Sequence, residues 1–287
     1  MNRKELLQLW SEILRSPDQT TEQYDRLAQA VVDVYQSDDP GFNKHVKDRF
    51  GRVTKATGQS FNADNFNIDM ARALVADEIG FSSWDQLIRA VQNPDKRKYP
   101  LLFNYAIAAL WRGDFTKLER MVGGSEVFDG QIVDWYEKGY FSEEAETFAE
   151  VFAAACMLGH ERTAGYLLDK SVDPYAGMRT GLAGFHYAAS SGRPEVVKTL
   201  IERKVPMEVE NTYGGTVLGQ ALWSAINEHN DNHAEIVELL VDAGAYVWPD
   251  TLEWWQKQDV PSAETKERIT NVLRRRESET PNNKIDS

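Results

Sequence analysis

Residues 181–192 read Gly-Leu-Ala-Gly-Phe-His-Tyr-Ala-Ala-Ser-Ser-Gly, and residues 214–225 read Gly-Gly-Thr-Val-Leu-Gly-Gln-Ala-Leu-Trp-Ser-Ala. The two stretches align without a gap at a separation of 33 residues, so Ala183 and Thr216 occupy the same place in successive units. A repeat of this length is typical of a solenoid, in which a single unit cannot bury its apolar face and stacks on its neighbours. The sequence therefore predicts an all-α stack of helix pairs joined by hairpin loops.

Helical patterns occur in pairs on both sides of this repeat, over residues 101–247. Gly113, Gly159 and Gly192 each follow the first helix of a pair, where a left-handed backbone favours glycine. The fourth pair is interrupted by a seven-residue insertion, residues 226–232. We therefore expect about four repeats, the first of them divergent, with helices at 102–112 and 115–122, 146–158 and 162–170, 185–191 and 194–203, and from 217 and 233–243.

The parts of the chain outside this array show helical patterns without a repeat. Residues 1–95 carry apolar stripes at helical spacing and predict an N-terminal helical domain. Its third helix is expected at 42–50, and the polar stretch 52–65 is typical of a loop. Beyond the array, residues 248–276 predict C-terminal capping helices, and the polar residues 277–287 predict a disordered tail.

An aromatic segment, residues 127–141, separates the first two repeats. Gly113 and Gly159 lie 46 residues apart rather than 33, so this region contains 13 extra residues. Trp135, Tyr136 and Tyr140 make it too aromatic for a free linker. The sequence leaves open whether these side chains line a pocket or pack as core.

Composition and charge narrow the classes of function. The chain has 287 residues, a hydrophobic content of 42% and a formal net charge of −13. An acidic surface repels phosphate backbones, so we expect no nucleic-acid partner. No stretch is apolar enough to span a membrane, and the first residues become polar too early for a signal peptide. Cys156 is the single cysteine, which favours a reducing, cytoplasmic location, and we expect a monomer.

The repeated stretch resembles a known family. The pattern Gly181-x-Ala-Gly-Phe-His-x-Ala-Ala-x-x-Gly192 resembles the ankyrin-repeat consensus, in which Gly-x-Thr-Pro-Leu-His opens the first helix. Second helices match at 164–168, 196–201 and 236–245. Residues 70–84 resemble a helix followed by Phe-x-x-Trp that precedes ankyrin repeats in many bacterial proteins. The resemblance implies a bacterial-type ankyrin-repeat protein.

Several positions depart from the family pattern. Ala183 and Gly184 stand where the family has threonine and proline, and loss of the capping hydroxyl is expected to cost about 1 kcal/mol. Ser171 and Lys204 occupy a loop position that is glycine at Gly244. If the backbone there is left-handed, each of the two side chains carries roughly 1–2 kcal/mol of strain.

The resemblance also implies where a partner binds. Ankyrin-repeat proteins commonly bind other proteins through the hairpin tips and the concave face of the first helices. Tyrosine, tryptophan and arginine are enriched at binding hot spots. Transferred to this sequence, the expected partner-binding residues are Tyr175, Met178, Arg179, Tyr187, Tyr213, Gln220 and Trp223.

No motif for catalysis or for a cofactor is present in the sequence. His229 and His233 have metal-ligand spacing, but the intervening Asn230-Asp-Asn232 favours a break in the helix. We therefore expect a non-catalytic protein without cofactor or metal, which mediates protein–protein interaction with a partner that the sequence does not identify. The alternatives are an enzyme, or a sensor of small molecules or peptides, with a pocket between the N-terminal helical domain and the first repeats.

Overall fold

The computed structural model describes residues 1–57, 61, 63–176, 179–228 and 230–279. Within these ranges the chain forms sixteen α-helices, two short 3-10 helices and no β-strand, which confirms the predicted all-α class. The chain divides into two compact units, residues 1–131 and residues 132–287. The finer division at residues 95, 247 and 276 stays a prediction.

The first unit contains helices whose apolar stripes pack into one core. Leu27, Phe50 and Phe103 are fully buried there. Capping residues fix where the helices begin: Thr20 accepts from the Gln23 N–H, and Ser83 accepts from the Gln86 N–H as its spacing predicted. The helices are α1 (Arg3–Arg15), α2 (Thr21–Gln36), α3 (Pro40–Thr57), α4 (Ile68–Glu78), α5 (Trp84–Gln92), α6 (Leu101–Trp111) and α7 (Phe115–Val122), with 3-10 helices at Ala63–Asn65 and Pro94–Lys96.

Helix α3 is longer than its sequence pattern indicated. The prediction of a helix at 42–50 followed by a loop from 52 is wrong for residues 51–57, which are helical. The physical reason is Val53, which is buried and lies one helical turn after the buried Phe50. This apolar pair continues the stripe through a stretch whose glycine and threonine residues suggested a loop.

Helix pairs dominate the second unit, and they stack in the order that the repeat predicted. The first helices α9, α11 and α13 pack on one another in series, and the second helices α10, α12 and α14 form another row. The bounds are α8 (Ser125–Glu137), which begins before the division, and then α9 (Ala145–Leu158), α10 (Glu161–Asp169), α11 (Gly184–Ser190), α12 (Pro194–Glu202), α13 (Val217–Asn227), α14 (His233–Asp242), α15 (Thr251–Gln256) and α16 (Ala263–Glu279). Residues 280–287 of the predicted tail lie outside the described residues.

The loop that follows each second helix turns through a left-handed residue. Ser171, Lys204 and Gly244 have φ values of 63°, 57° and 96°. The backbone at Ser171 and Lys204 is therefore left-handed, which is the condition that the sequence left open. Ser171 and Lys204 therefore carry the strain that glycine avoids at Gly244, roughly 1–2 kcal/mol each.

The seven-residue insertion caps the preceding repeat. Asn230 Nδ2 donates to the Ser191 carbonyl at 3.3 Å, and Asn232 Nδ2 donates to the Gly192 carbonyl at 3.0 Å. His233 is fully buried and its Nε2 lies 3.0 Å from the Ser190 carbonyl. The carbonyls at the end of a helix lack intrahelical donors, and these three side chains approach them.

Part of the aromatic segment packs as core in the second unit. Trp135 and Phe141 are buried, and the Tyr136 ring stacks on Phe148 with centroids 5.4 Å apart. Tyr136 also meets Tyr166 edge-on at 5.7 Å. Because these rings pack against other side chains, their faces are not available to line a pocket.

Candidate protein-binding surface

Five exposed aromatic side chains lie between residues 213 and 254 of the second unit. Tyr213, Trp223 and Trp248 are 80%, 52% and 65% exposed, and Tyr246 and Trp254 are also exposed. Clustered exposed aromatic rings are uncommon on monomeric proteins and mark surfaces where a partner or ligand binds.

Three of these rings line a groove of about 560 Å³, which we call the aromatic groove. Tyr246 and Trp248 meet edge-on, with ring centroids 4.9 Å apart and an interplanar angle of 88°. The Tyr246 N–H donates to Glu208 Oε1 at 2.9 Å, which anchors this wall to the preceding loop. The groove is lined by Glu210, Gly214, Gly215, Thr216, Leu218, Gly219, Leu222, Tyr246, Trp248, Asp250, Thr251 and Trp254.

Asn211 fixes the hairpin that forms the other wall. Its Oδ1 accepts from the N–H groups of Tyr213 and Gly215 at 2.9 and 3.0 Å. Its Nδ2 donates to Gln220 Oε1 at 3.0 Å. Because Asn211 is buried and fully engaged, the tip that carries Tyr213 is held in one conformation, although the tyrosine ring itself is exposed.

Two of the residues expected to bind a partner instead have structural contacts. The Tyr175 side chain is half-buried and its hydroxyl donates to the Pro206 carbonyl in the next loop. Gln220 accepts from Asn211 and donates to Ser224 Oγ at 3.4 Å. Met178 lies outside the described residues.

A second cluster brings together Arg179, Tyr187 and Tyr213 around a buried carboxylate. Glu150 Oε1 accepts from the Arg179 N–H at 3.2 Å, and the Arg179 guanidinium pairs with Glu146 at 2.7 Å. Burial raises the pKa of the Tyr187 hydroxyl, and the charges of Glu150 and Tyr213 act in the same direction. Trp223 lies on α13 and does not line the aromatic groove.

Glu150 itself is fully buried, and its Oε2 has no hydrogen-bond partner among the described residues. Burial raises the pKa of this carboxyl to about 7, although the Arg179 N–H and guanidinium oppose the shift. A raised pKa in the folded state means that folding favours the protonated form. The contribution of Glu150 to stability is therefore fully present below 4.5, its pKa in the unfolded state. It is lost as the pH rises through about 7.

We expect Glu150→Gln to stabilise the protein by roughly 1–3 kcal/mol at about pH 8 and to have little effect near pH 4.5, because the amide resembles the protonated acid. Urea unfolding at both pH values measures the difference. Glu146→Gln is the matched control, since its pair with Arg179 is exposed and contributes little. An equal gain from Glu150→Gln at both pH values would contradict the assignment.

The two side chains that could suggest chemistry in the repeats, His186 and Cys156, are buried. The His186 Nε2 lies 3.0 Å from the Val209 carbonyl and 3.1 Å from the Gly215 carbonyl, and burial lowers the pKa of the ring. Cys156 is buried, and burial raises the pKa of its thiol. In the part of the chain that the structure describes, no three His, Cys, Asp or Glu side chains form a metal-binding group, and His229 lies outside that part.

The family comparison agrees with the stacked helix pairs. Residues 151–250 match the family model for ankyrin repeats, in three copies. The matched segment includes α10 to α14 and the walls of the aromatic groove as far as Asp250. The predicted resemblance is confirmed, and this segment of the chain is a stack of ankyrin repeats.

A curated protein shares similarity with part of the chain. The E3 ubiquitin-protein ligase hecd-1 of Caenorhabditis elegans is 32% identical over 82 residues, which cover 29% of this chain and 3% of that protein. The chain thus corresponds to a very small part of the relative. Among the described residues, no helix is long and apolar enough to cross a membrane.

Tyr246, Trp248 and Trp254 were not among the residues expected to bind a partner. Tyr246 and Trp248 lie at the end of the ankyrin match and Trp254 follows it, in a region where the insertion has shifted the 33-residue spacing. The sequence does contain a pattern that points to Trp248. It lies four residues after the left-handed Gly244, as Tyr175 lies four residues after the left-handed Ser171. Aligning the loops on their left-handed residues rather than on the period would have identified Trp248.

Proposed function

We propose that the protein binds a protein partner through the aromatic groove and the adjoining hairpin tips, and that it has no catalytic activity of its own. The observation that carries this proposal is the set of exposed rings at Tyr246, Trp248 and Trp254 along one groove of an ankyrin-repeat stack. Tryptophan and tyrosine are the residues most enriched at binding hot spots. The burial of His186 and Cys156 supports the absence of catalysis in this unit.

The charge of the groove indicates the chemistry of the partner. Glu210 and Asp250 line it, and none of its lining residues is lysine or arginine. The chain as a whole has a formal net charge of −13. A cation over an aromatic ring and beside a carboxylate gains from both contacts. We therefore propose a polypeptide segment that presents arginine or lysine next to apolar side chains.

The hairpin tips expected from the sequence remain part of the proposed surface. Tyr213 directly precedes Gly214 in the groove wall and is the most exposed of the five aromatic residues. Arg179 is exposed as well, and Trp223 extends the exposed face of α13. A cytoplasmic location and a monomeric state remain parts of the proposal that await their own tests.

We expect Trp248→Ala to weaken the binding of selected peptides by about tenfold or more, because the ring is an exposed hot-spot residue that supports no core contact. The measurement selects peptides from a phage-displayed library on the immobilised full chain and determines their affinities by fluorescence polarisation. Selected peptides should contain Arg or Lys beside apolar residues, and Asp250→Lys should weaken them similarly.

Trp111→Ala is the matched control, since Trp111 is an exposed tryptophan of the first unit. A double variant, Arg179→Ala with Tyr213→Ala, tests the contribution of the hairpin tips separately from that of the groove. It keeps the hydrogen bond between Tyr175 and the Pro206 carbonyl. Selection of peptides without basic residues, or full retention of affinity by Trp248→Ala, would refute the assignment of the groove.

A further inference from the structure

The first unit contains a cavity of about 280 Å³, where helices of the predicted N-terminal domain meet α7 of the predicted divergent first repeat. Helices α1, α2, α3, α4 and α7 contribute its walls, and every lining residue belongs to residues 1–131. One wall is apolar, and charged side chains line the remainder. The apolar wall consists of Leu6, Trp10, Val31, Phe42, Val46 and Leu74.

The floor of the cavity is an ion-pair network centred on Glu78. Its Oε1 lies 3.1 Å from Arg49 Nε, and its Oε2 lies 2.6 Å from Lys117 Nζ and 3.5 Å from Arg112 Nη1. Arg49 also pairs with Asp114, and Arg112 pairs with Asp77. Three cations therefore meet three carboxylates, and the network is neutral.

Glu78 on the floor and the neighbouring His45 each keep one protonation state near neutral pH. Burial opposes ionisation of Glu78, but Lys117, Arg49 and Arg112 together outweigh it and lower the pKa to about 2. His45 also lines the cavity, and burial with the nearby Lys117 lowers its pKa to about 4, so the ring is neutral. Because the floor is neutral and His45 is uncharged, the net charge of the cavity comes from the residues at its rim.

The rim carries two arginines without a carboxylate partner. Arg3 and Arg120 line the cavity and are exposed, and neither forms an ion pair within the described ranges. Arg3 lies in the first turn of α1, where a positive charge is unfavourable for the helix. Helix stability therefore does not explain Arg3. Two unpaired guanidiniums over a neutral floor attract an anion, even in an acidic chain.

Trp10 adds an aromatic ring to the apolar wall. Its indole is only 6% exposed and lines the cavity.

We propose that this cavity binds a small organic anion, a carboxylate or phosphate monoester with an apolar body. Its oxygens accept from Arg3 and Arg120, and its apolar part packs against Trp10, Phe42 and Val46. The volume of about 280 Å³ lies near the lower end for ligand sites, which restricts the ligand to a small molecule. The site is separate from the aromatic groove, so a single chain would hold a small anion and a protein partner.

Isothermal titration calorimetry on the full chain with three probes tests the proposal. Phenylacetate and phenyl phosphate are the anionic probes, and phenylacetamide is the neutral analogue. We expect one or both anions to bind and the amide to bind at least tenfold more weakly. The tighter of the two anions identifies the preferred head group.

Substitutions at the rim test whether its arginines bind the anion. Arg3→Gln and Arg120→Gln are each expected to weaken binding of the anion about tenfold or more, because each removes a charged hydrogen-bond donor. Arg26→Gln is the matched control, since Arg26 is exposed in the same unit but does not line the cavity. Circular dichroism melting curves confirm that each variant is folded.

Three results would overturn the proposal. The first is binding of phenylacetamide as tight as that of the anions, and the second is an equal loss with Arg26→Gln. The third is the absence of saturable binding of either anion at about 10 mM. None of these results bears on the aromatic groove, whose peptide binding is measured separately.

Discussion

Replacing Glu78 by glutamine is expected to destabilise the protein by about 3–5 kcal/mol. Glutamine has the same shape, so the loss arises from charge rather than from packing. Arg49 and Arg112 keep Asp114 and Asp77 as partners, but Lys117 loses its ion-pair partner at 2.6 Å. Its ammonium group would remain largely buried and unpaired, which is the most unfavourable outcome for an interior charge.

Urea unfolding of the wild type and the variant measures this effect, and the second variant Glu78→Gln with Lys117→Met checks its cause. Removing both charges should restore much of the lost stability, because no unpaired ammonium group remains. Glu253→Gln is the control, and its exposed pair with Lys257 is expected to contribute nothing measurable. A small loss in Glu78→Gln would show that the cations find other partners or water.

The pH dependence provides a further check on the same prediction. The folded-state pKa of Glu78 is lowered to about 2 from its usual value of 4.5. Its contribution is therefore fully present above 4.5 and is lost as the pH falls towards 2. The difference in stability between wild type and Glu78→Gln should shrink over that interval. A difference independent of pH would indicate that packing, not charge, causes the loss.

Local patterns in the sequence were sufficient to predict the repeat stack. Each second helix and the loop after it lie within one 33-residue unit, so apolar spacing predicted the helix pairs. The left-handed residues Ser171 and Lys204 could be predicted because Gly244 occupies the same loop position. Helix boundaries were predicted less accurately. One buried residue, such as Val53, can extend a helix into a stretch whose composition is typical of a loop.

The cavity and the groove depend on contacts that no local pattern contains. Arg49, Glu78 and Lys117 are separated by 29 and 39 residues, and only the packing of α3, α4 and α7 brings them together. The groove combines a hairpin with residues that follow the last repeat, across a spacing that the insertion has changed. Sequence reasoning identified Tyr213 by its place on a hairpin tip, whereas Trp254 lies beyond the repeat pattern.

The departure from the family at Gly184 has a physical cause in the preceding repeat. A Cβ atom at Gly184 would lie 2.5 Å from Cε1 and 2.8 Å from Cδ1 of Phe152, and 3.1 Å from the Cys156 Sγ. Phe152 is fully buried, so its ring cannot move aside. It lies 33 residues before Phe185, at the position where the family pattern has leucine. The larger ring in one repeat therefore requires the missing side chain in the next.

We expect Gly184→Ala to destabilise the protein by about 1–3 kcal/mol, because the added methyl group overpacks the interface between α9 and α11. Gly219→Ala is the matched control in the next first helix, where the new Cβ would meet only Thr216 Oγ1 at 3.5 Å. That variant should be neutral or slightly stabilising. Urea unfolding of both variants measures the contrast.

A double-mutant cycle then tests whether Phe152 is the cause. In a Phe152→Leu background the ring atoms nearest to the new methyl group are gone, so Gly184→Ala should lose most of its cost. A coupling free energy of about 1 kcal/mol or more between the two sites would establish that adjacent repeats compensate for each other's volume. Additive effects would instead attribute the cost to Cys156 or to the backbone at the start of α11. Cys156 belongs to the preceding repeat, so only the second of these causes would be internal to one repeat.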